Sequence, residues 1–314
     1  MKYLMKFNLI TLIALMSVLI SCNGQVKTNA DEPFQVSHPE KFSDYWYSGE
    51  GELSTYSMEQ IRYGEKRQGQ VVMVYVSENF LPEQQVKREY GEKKGITVLK
   101  LNKINRFVTG IYDYSIMTSV FTPIKFREYP ATLKVTNSSQ DWCGQSFSQY
   151  NLRNRTLEYQ QNSYFQSEGD LQKEIDATYT EDDVWTRIRI EPQMLPLGKI
   201  EMVPSMEYLR LKHKEFKSYE AIATLVLQVN ANEEEFYLYT LKYPELDREL
   251  KIKCQAKFPF KILGWEEKWM ASKPSDTEIT KAQIKKTIQS PYWKLNGLEN
   301  MNYRDSLQLK LKSY

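Results

Sequence analysis

The chain has few of the residues that most enzymes use. Its 314 residues include only two histidines, three cysteines and 13 glycines. His38 lies in a polar N-terminal stretch, and His213 sits between Lys212 and Lys214, cations that disfavour a protonated imidazole. No G-x-S-x-G occurs, so a serine hydrolase built on His213 lacks the sharp turn that would present its nucleophile. Cys143, Cys254, His213 and His38 contain no closely spaced ligand pair, which structural zinc normally requires. No G-x-G-x-x-G or other phosphate-cradling glycine loop is present, and no cofactor is expected.

Excess charge is also missing. The chain carries 42 basic and 40 acidic residues, whereas nucleic-acid binders usually carry a basic stripe. Nucleic acid is therefore not an expected partner, and neither is a membrane bound through polybasic contacts. Mean hydropathy is −0.58. The one long apolar stretch runs from Phe7 to Ile20, interrupted by Asn8, Thr11 and Ser17. A spanning helix needs about 20 apolar residues, so this stretch is too short to anchor the chain.

Lys2 and Lys6 precede that run, and Leu19-Ile20-Ser21-Cys22 ends it. A basic start, an apolar core and small residues at the end describe a secretory signal. A Cys directly after them resembles the lipobox of bacterial lipoproteins. Residues 1–21 are read as the signal peptide and Cys22 as the lipidation site. Cleavage would remove Lys2 and Lys6, bringing the basic count down to that of the acidic residues, 40. Several acyl chains on one Cys hold a protein stably at a membrane. Residues 22–41 are polar and contain two prolines, and they read as a tether. The expected location is the outer membrane, through the lipid alone.

From Phe42 the pattern is strand-like. Gln70–Glu78, Ile96–Leu101, Phe107–Thr122, Ala131–Val135 and Thr156–Phe165 are rich in β-branched and aromatic residues, with Gly110 as a bulge candidate. Ala221–Val229, Asn230–Glu235 and Phe236–Lys242 read as strand, turn and strand. Leu246, Arg248, Leu250, Ile252 and Cys254 share one phase of the next segment. Thr180–Arg189 suits a helix, with acids early, arginines late and Thr180 as N-cap, although Val184, Thr186 and Ile188 would also suit a strand. Thr277–Ile288 fits a helix with a capping box or a closing hairpin, and Met301–Leu309 fits a short helix. The sum is one mainly β domain over 42–314, an antiparallel curved sheet or half-barrel with few short helices.

Four runs invite chemistry. Trp265-Glu266-Glu267-Lys268-Trp269 could line a sugar site, with the two acids as a carboxylate pair. As one strand, it places Trp265, Glu267 and Trp269 on one face and Glu266 on the other. Asp141-Trp142-Cys143-Gly144 lacks the second Cys of a thioredoxin-type site and reads as core beside a glycine turn. Cys143 and Cys254 could pair in an oxidising envelope, or stay as buried thiols. Glu233–Glu235 reads as a solvated turn, without the spacing of a Ca²⁺ loop. Asp305-Ser306-Leu307 matches a short O-glycosylation pattern.

Several segments together resemble a known family. They include Tyr45-Trp46-Tyr47, Arg62-Tyr63-Gly64-Glu65, Thr109-Gly110-Ile111-Tyr112, Ser119-Val120-Phe121-Thr122-Pro123, Ser139-Gln140-Asp141-Trp142-Cys143-Gly144, Trp185-Thr186-Arg187-Ile188-Arg189 and Ile262-Leu263-Gly264-Trp265-Glu266. This set is similar to uncharacterised lipoproteins of Bacteroidota, over most of the chain after the signal. Some proteins of that type are called septum formation inhibitor Maf. True Maf proteins are cytosolic nucleotide pyrophosphatases with an α/β fold and a Ser-x-Arg-Arg-type loop near the start. An export signal, the missing loop and the β-rich pattern set this chain apart from them. The resemblance implies an envelope location and no catalytic residues. The expected role is non-catalytic: binding an apolar or amphiphilic ligand, such as a lipid, or an envelope protein partner. An accessory subunit of an envelope complex, or a hydrolase of envelope polymers, are the alternatives.

Overall fold

The computed structural model describes residues 36, 38–91, 94–126, 128–270 and 277–309. Cys22, the signal and most of the tether lie outside them. The fold is mainly β. Helix α1 (Pro39–Trp46) leads into β1 (Gly51–Arg62), β2 (Glu65–Leu81), the short β3 (Val86–Lys87), β4 (Ile96–Thr109) and β5 (Tyr112–Pro123). Then follow β6 (Lys134–Asp141), β7 (Gly144–Arg153), β8 (Thr156–Ser163), β9 (Leu171–Asp176) and β10 (Tyr179–Thr180). Helix α2 (Glu181–Ile190), β11 (Gly198–Val203) and helix α3 (Met206–Lys212) interrupt the meander. It resumes as β12 (Tyr219–Val229), β13 (Glu235–Tyr243), β14 (Arg248–Gln255), β15 (Ile262–Met270) and β16 (Thr277–Ser290), and closes with the single turn α4 (Tyr303–Ser306).

All sixteen strands belong to one sheet. Its order is β10-β11-β12-β13-β14-β15-β16-β1-β2-β4-β5-β6-β7-β8-β9, with β3 on β2. Every pairing is antiparallel except β10 with β11. The first and last strands meet in the middle of the sheet, where β16 pairs with β1. The two edges, β9 and β10, are consecutive in sequence. The curved sheet is therefore unclosed, and a short link carries the chain from one edge to the other.

Strand phase assigns the two faces of the sheet. β14 alternates strictly, with Arg248, Leu250, Ile252 and Cys254 buried. The inward residues of β1, β2, β4, β5, β13 and β14 form one apolar cluster. Helix α2 belongs to the same cluster, and all ten of its residues are buried. Thr180 precedes this helix, but its hydroxyl pairs with Tyr150 at 2.8 Å rather than capping the turn. The acids of the first turn and the arginines of the last complement the helix dipole.

The strand–turn–strand reading over 221–242 and the hairpin reading of 277–288 both match the sheet. Other expectations fail. Gly110 has φ +61 and sits in the β4–β5 turn, not in a bulge. Trp142 and Cys143 are exposed at the β6–β7 turn rather than packed in the core. Asp141 holds that turn open to solvent by accepting the Cys143 and Gly144 amides at 2.6 and 3.2 Å. Cys254 faces the interior of β14, and both thiols are free, so the pairing that the sequence allowed does not form. The final helix shrinks to Tyr303–Ser306.

Candidate functional site

Polar residues on the inward phase mark the site. β4 places Leu99, Leu101 and Phe107 inward, and Lys103 and Asn105 lie in the same phase. In β15 the inward residues are Trp265, Glu267 and Trp269. Arg248 opens the inward series of β14. Each of these polar groups is withdrawn from water and needs a partner.

Helix α2 supplies several. Arg248 donates through Nη2 to Glu181 at 2.7 Å and through Nε to Glu267 at 2.5 Å. Tyr243 donates to the same Glu181 at 2.8 Å. Burial would push the Glu181 carboxyl up, but the Arg248 guanidinium outweighs it and holds it down. Glu267 shifts the other way: burial raises it despite Arg248. From α3, Glu207 accepts from Lys103 Nζ at 3.0 Å and from Asn105 Nδ2 at 2.6 Å. Burial disfavours the Lys103 ammonium, but Glu207 reverses the effect and raises its pKa. The same ammonium lies 4.8 Å from the Trp185 ring centre and 5.5 Å from that of Trp265.

These residues surround a cavity of about 260 Å³. Trp185, Trp265 and Trp269 form aromatic walls, and Met58, Leu250 and Leu211 add apolar surface. Arg62, Tyr63 and Gly64, from the β1–β2 turn, stand at one end with Lys212. Arg62 Nη1 donates to the Leu211 carbonyl at 2.7 Å, which ties that turn to α3. The β1–β2 turn lies at the opposite end of β1 from Gly51, where α1 joins the sheet. The pocket is thus reached from the end away from the chain's entry.

A second buried cluster sits at the entry end. Arg189 of α2 donates to both oxygens of Glu52, at 2.6 Å for Nη2. Trp46 and Tyr75 flank the guanidinium, with ring centres 5.1 and 4.8 Å away. This pair fixes the end of α2 and does not line the tryptophan pocket. Beneath the pocket, Asp182 accepts the Met206 amide at 2.9 Å. Burial, helped by Glu181, lifts the Asp182 carboxyl to about 7.

The residues singled out in the sequence scatter. Glu267 joins the pocket, whereas Glu266 is exposed and pairs with Lys281 at 2.9 Å, so the two do not form a carboxylate pair. His213 caps α3 and its Nδ1 lies 2.6 Å from Glu168. His38 stacks edge-on to Phe258. Glu233–Glu235 occupy an exposed turn held by Asn230. Ser306 lies exposed in α4. Among the described residues, no group of three or more His, Cys, Asp and Glu could hold a metal. No described helix is long and apolar enough to cross a membrane.

Lys103, Asn105, Glu181 and Glu207 were not singled out from the sequence. Their signal was local: a charged or amide side chain on the apolar phase of a strand or helix. No protein-family model matches the chain, and no curated protein matches it significantly.

Proposed function

We propose that this protein is a lipid-anchored envelope protein that binds an amphiphilic small ligand and performs no chemistry on it. The observation that carries the reading is the pocket itself: three tryptophans around two ion-paired charge clusters. Helix α2 packs into the apolar cluster of the sheet with all ten of its residues buried. The remaining cavity combines apolar walls with fixed hydrogen-bonding groups, the usual composition of a ligand site. Cys22 supplies the anchor and places the protein at the outer membrane.

The test has two arms. Labelled palmitate should enter the wild-type protein and not Cys22→Ala. The purified mature protein should carry a small amphiphile or change its melting temperature with one from a lipid and glycan panel. A protein that carries nothing and responds to nothing is not a ligand binder.

A partner-binding reading draws on a separate observation. Neighbouring turns at the pocket end expose large apolar side chains: Tyr63 (61%), Ile111 (83%), Trp142 (71%) and Tyr164 (78%). Aromatic side chains with one polar end are common in protein interfaces. Crosslinking in intact envelopes should then capture a partner through these turns, and recovery of the monomer alone counts against it.

A further inference from the structure

The open margins of the sheet are not alike. β9, at one end of the strand order, carries Lys173, Glu174 and Asp176, and charges on an edge discourage a further strand from pairing there. β10, at the other end, is two residues long. Its neighbour β11 covers β12 only from Tyr219 to Ala223. Beyond that point β12 pairs with β13 on one side, and among the described residues no strand pairs with its other side. Thr224-Leu225-Val226-Leu227-Gln228-Val229 is therefore an open edge. It has no charged residue, no proline and no register shift against β13, so the devices that normally block a strand edge are missing.

The same segment is apolar on both faces. Val226 (48% exposed) lies on the outward phase, and Leu227 (50%) and Val229 (60%) lie on the inward phase of Ala221 and Ala223. Both inward side chains fall outside the apolar cluster that ends at Leu225. A row of open N–H and C=O groups between apolar side chains is matched by another extended backbone.

Symmetry selects the strand. A two-fold axis normal to the sheet would set this edge antiparallel to its own copy, with inward residues opposite inward ones. Centred on Val226, it brings Thr224 opposite Gln228, Leu225 opposite Leu227 and Val226 opposite itself. Polar then meets polar outside, leucine meets leucine inside, and no like charges face each other. The pairing also stops by itself, because Ala223 is already paired with Gly198 of β11. β9 fails the same test, since centring it on Lys173 or Glu174 opposes like charges. We propose that this protein pairs with a second copy of itself through the open half of β12, joining two sheets about an axis at Val226.

The test uses the full chain in intact envelopes, with Cys143→Ser removing the exposed thiol. Residues directly opposite in an antiparallel pair have Cα atoms about 4.5–5.5 Å apart, within reach of a disulfide. Mild oxidation should link Val226→Cys into a dimer of this chain alone. Thr224→Cys should stay unlinked, and Thr224→Cys/Gln228→Cys should link. One strand pair makes an interface below about 1,200 Å², where association is weak. Sedimentation of the purified protein in micelles at up to ~0.5 mM should then show a dimer for wild type. Val226→Lys should lose it, because two like charges would face each other. If Val226→Lys lacks the wild-type near-ultraviolet circular dichroism, the cysteine variants decide. No link through Val226→Cys overturns the proposal, as does a wild-type monomer throughout the concentration range. Linking of Val226→Cys only to other proteins puts a different strand on the edge and overturns self-pairing. Equal linking of Thr224→Cys and Val226→Cys shows random collision and overturns the register.

Discussion

Glu52 and Arg189 show how far single residues set this interior. Both are almost completely buried, and each is the other's only close counter-charge among the described ion pairs. Removing one leaves an uncompensated buried charge, which typically costs about 3–5 kcal/mol. Glu52→Gln or Arg189→Met should therefore lower the denaturant midpoint strongly. The double variant Glu52→Leu/Arg189→Met should lose less than either single change, because no lone charge remains. Additive losses would show that the pair is not coupled.

Glu52 and Asp182 give opposite pH signatures. Burial would raise the Glu52 carboxyl, but Arg189 keeps it below its ordinary 4.5. The stability from this pair is full above that value and is lost as pH falls through the lowered one. Asp182 is lifted from 3.8 to about 7. The folded state then binds its proton more tightly than the unfolded chain, so stability declines as pH rises from about 4 to about 7. An upper bound on that decline is about 4 kcal/mol. Asp182→Asn should flatten this part of the pH–stability curve and raise stability at pH 8. An unchanged slope in urea titrations would clear Asp182 of the role.

At the scale of elements, α2 holds the sheet together from inside. Tyr75 donates to the Trp185 carbonyl at 3.2 Å, Thr122 and Thr186 share a hydrogen bond at 2.6 Å, and Arg187 reaches the Pro130 carbonyl at 2.7 Å. Trp185→Ala should cost about 3–5 kcal/mol, as large core truncations do. The sheet has its own tight points. A Cβ on Gly264 would lie 2.4 Å from the Ala282 carbonyl oxygen of the neighbouring strand. Gly264→Ala should therefore lower the melting temperature by several degrees, because β15 and β16 must move apart. The exposed β6–β7 turn makes the contrast. Trp142→Ser and Cys143→Ser should each change stability by no more than about 0.5 kcal/mol.

For the whole molecule, the apolar cluster joins strands from both halves of the sheet through α2. Thermal unfolding of the mature protein should be one cooperative transition by fluorescence and circular dichroism alike. Cys22→Ala should release a folded protein into the soluble fraction, and retention in the membrane fraction would refute lipid anchoring.

Strands β2, β4, β5, β8 and β12 to β15 were legible in the sequence because side-chain alternation is a local property. Arg248 through Cys254 shared a phase, and so did Trp265, Glu267 and Trp269, and the sheet keeps both. Thr180–Arg189 was ambiguous because its neighbours in sequence support two periods. The pocket was hidden for a different reason. Arg189 meets Glu52 across 137 positions, and Lys103 meets Glu207 across 104. A buried charge announces on its own strand only that it needs a partner. Which partner answers depends on how the curved sheet wraps around α2, and that was decided only by the tertiary structure.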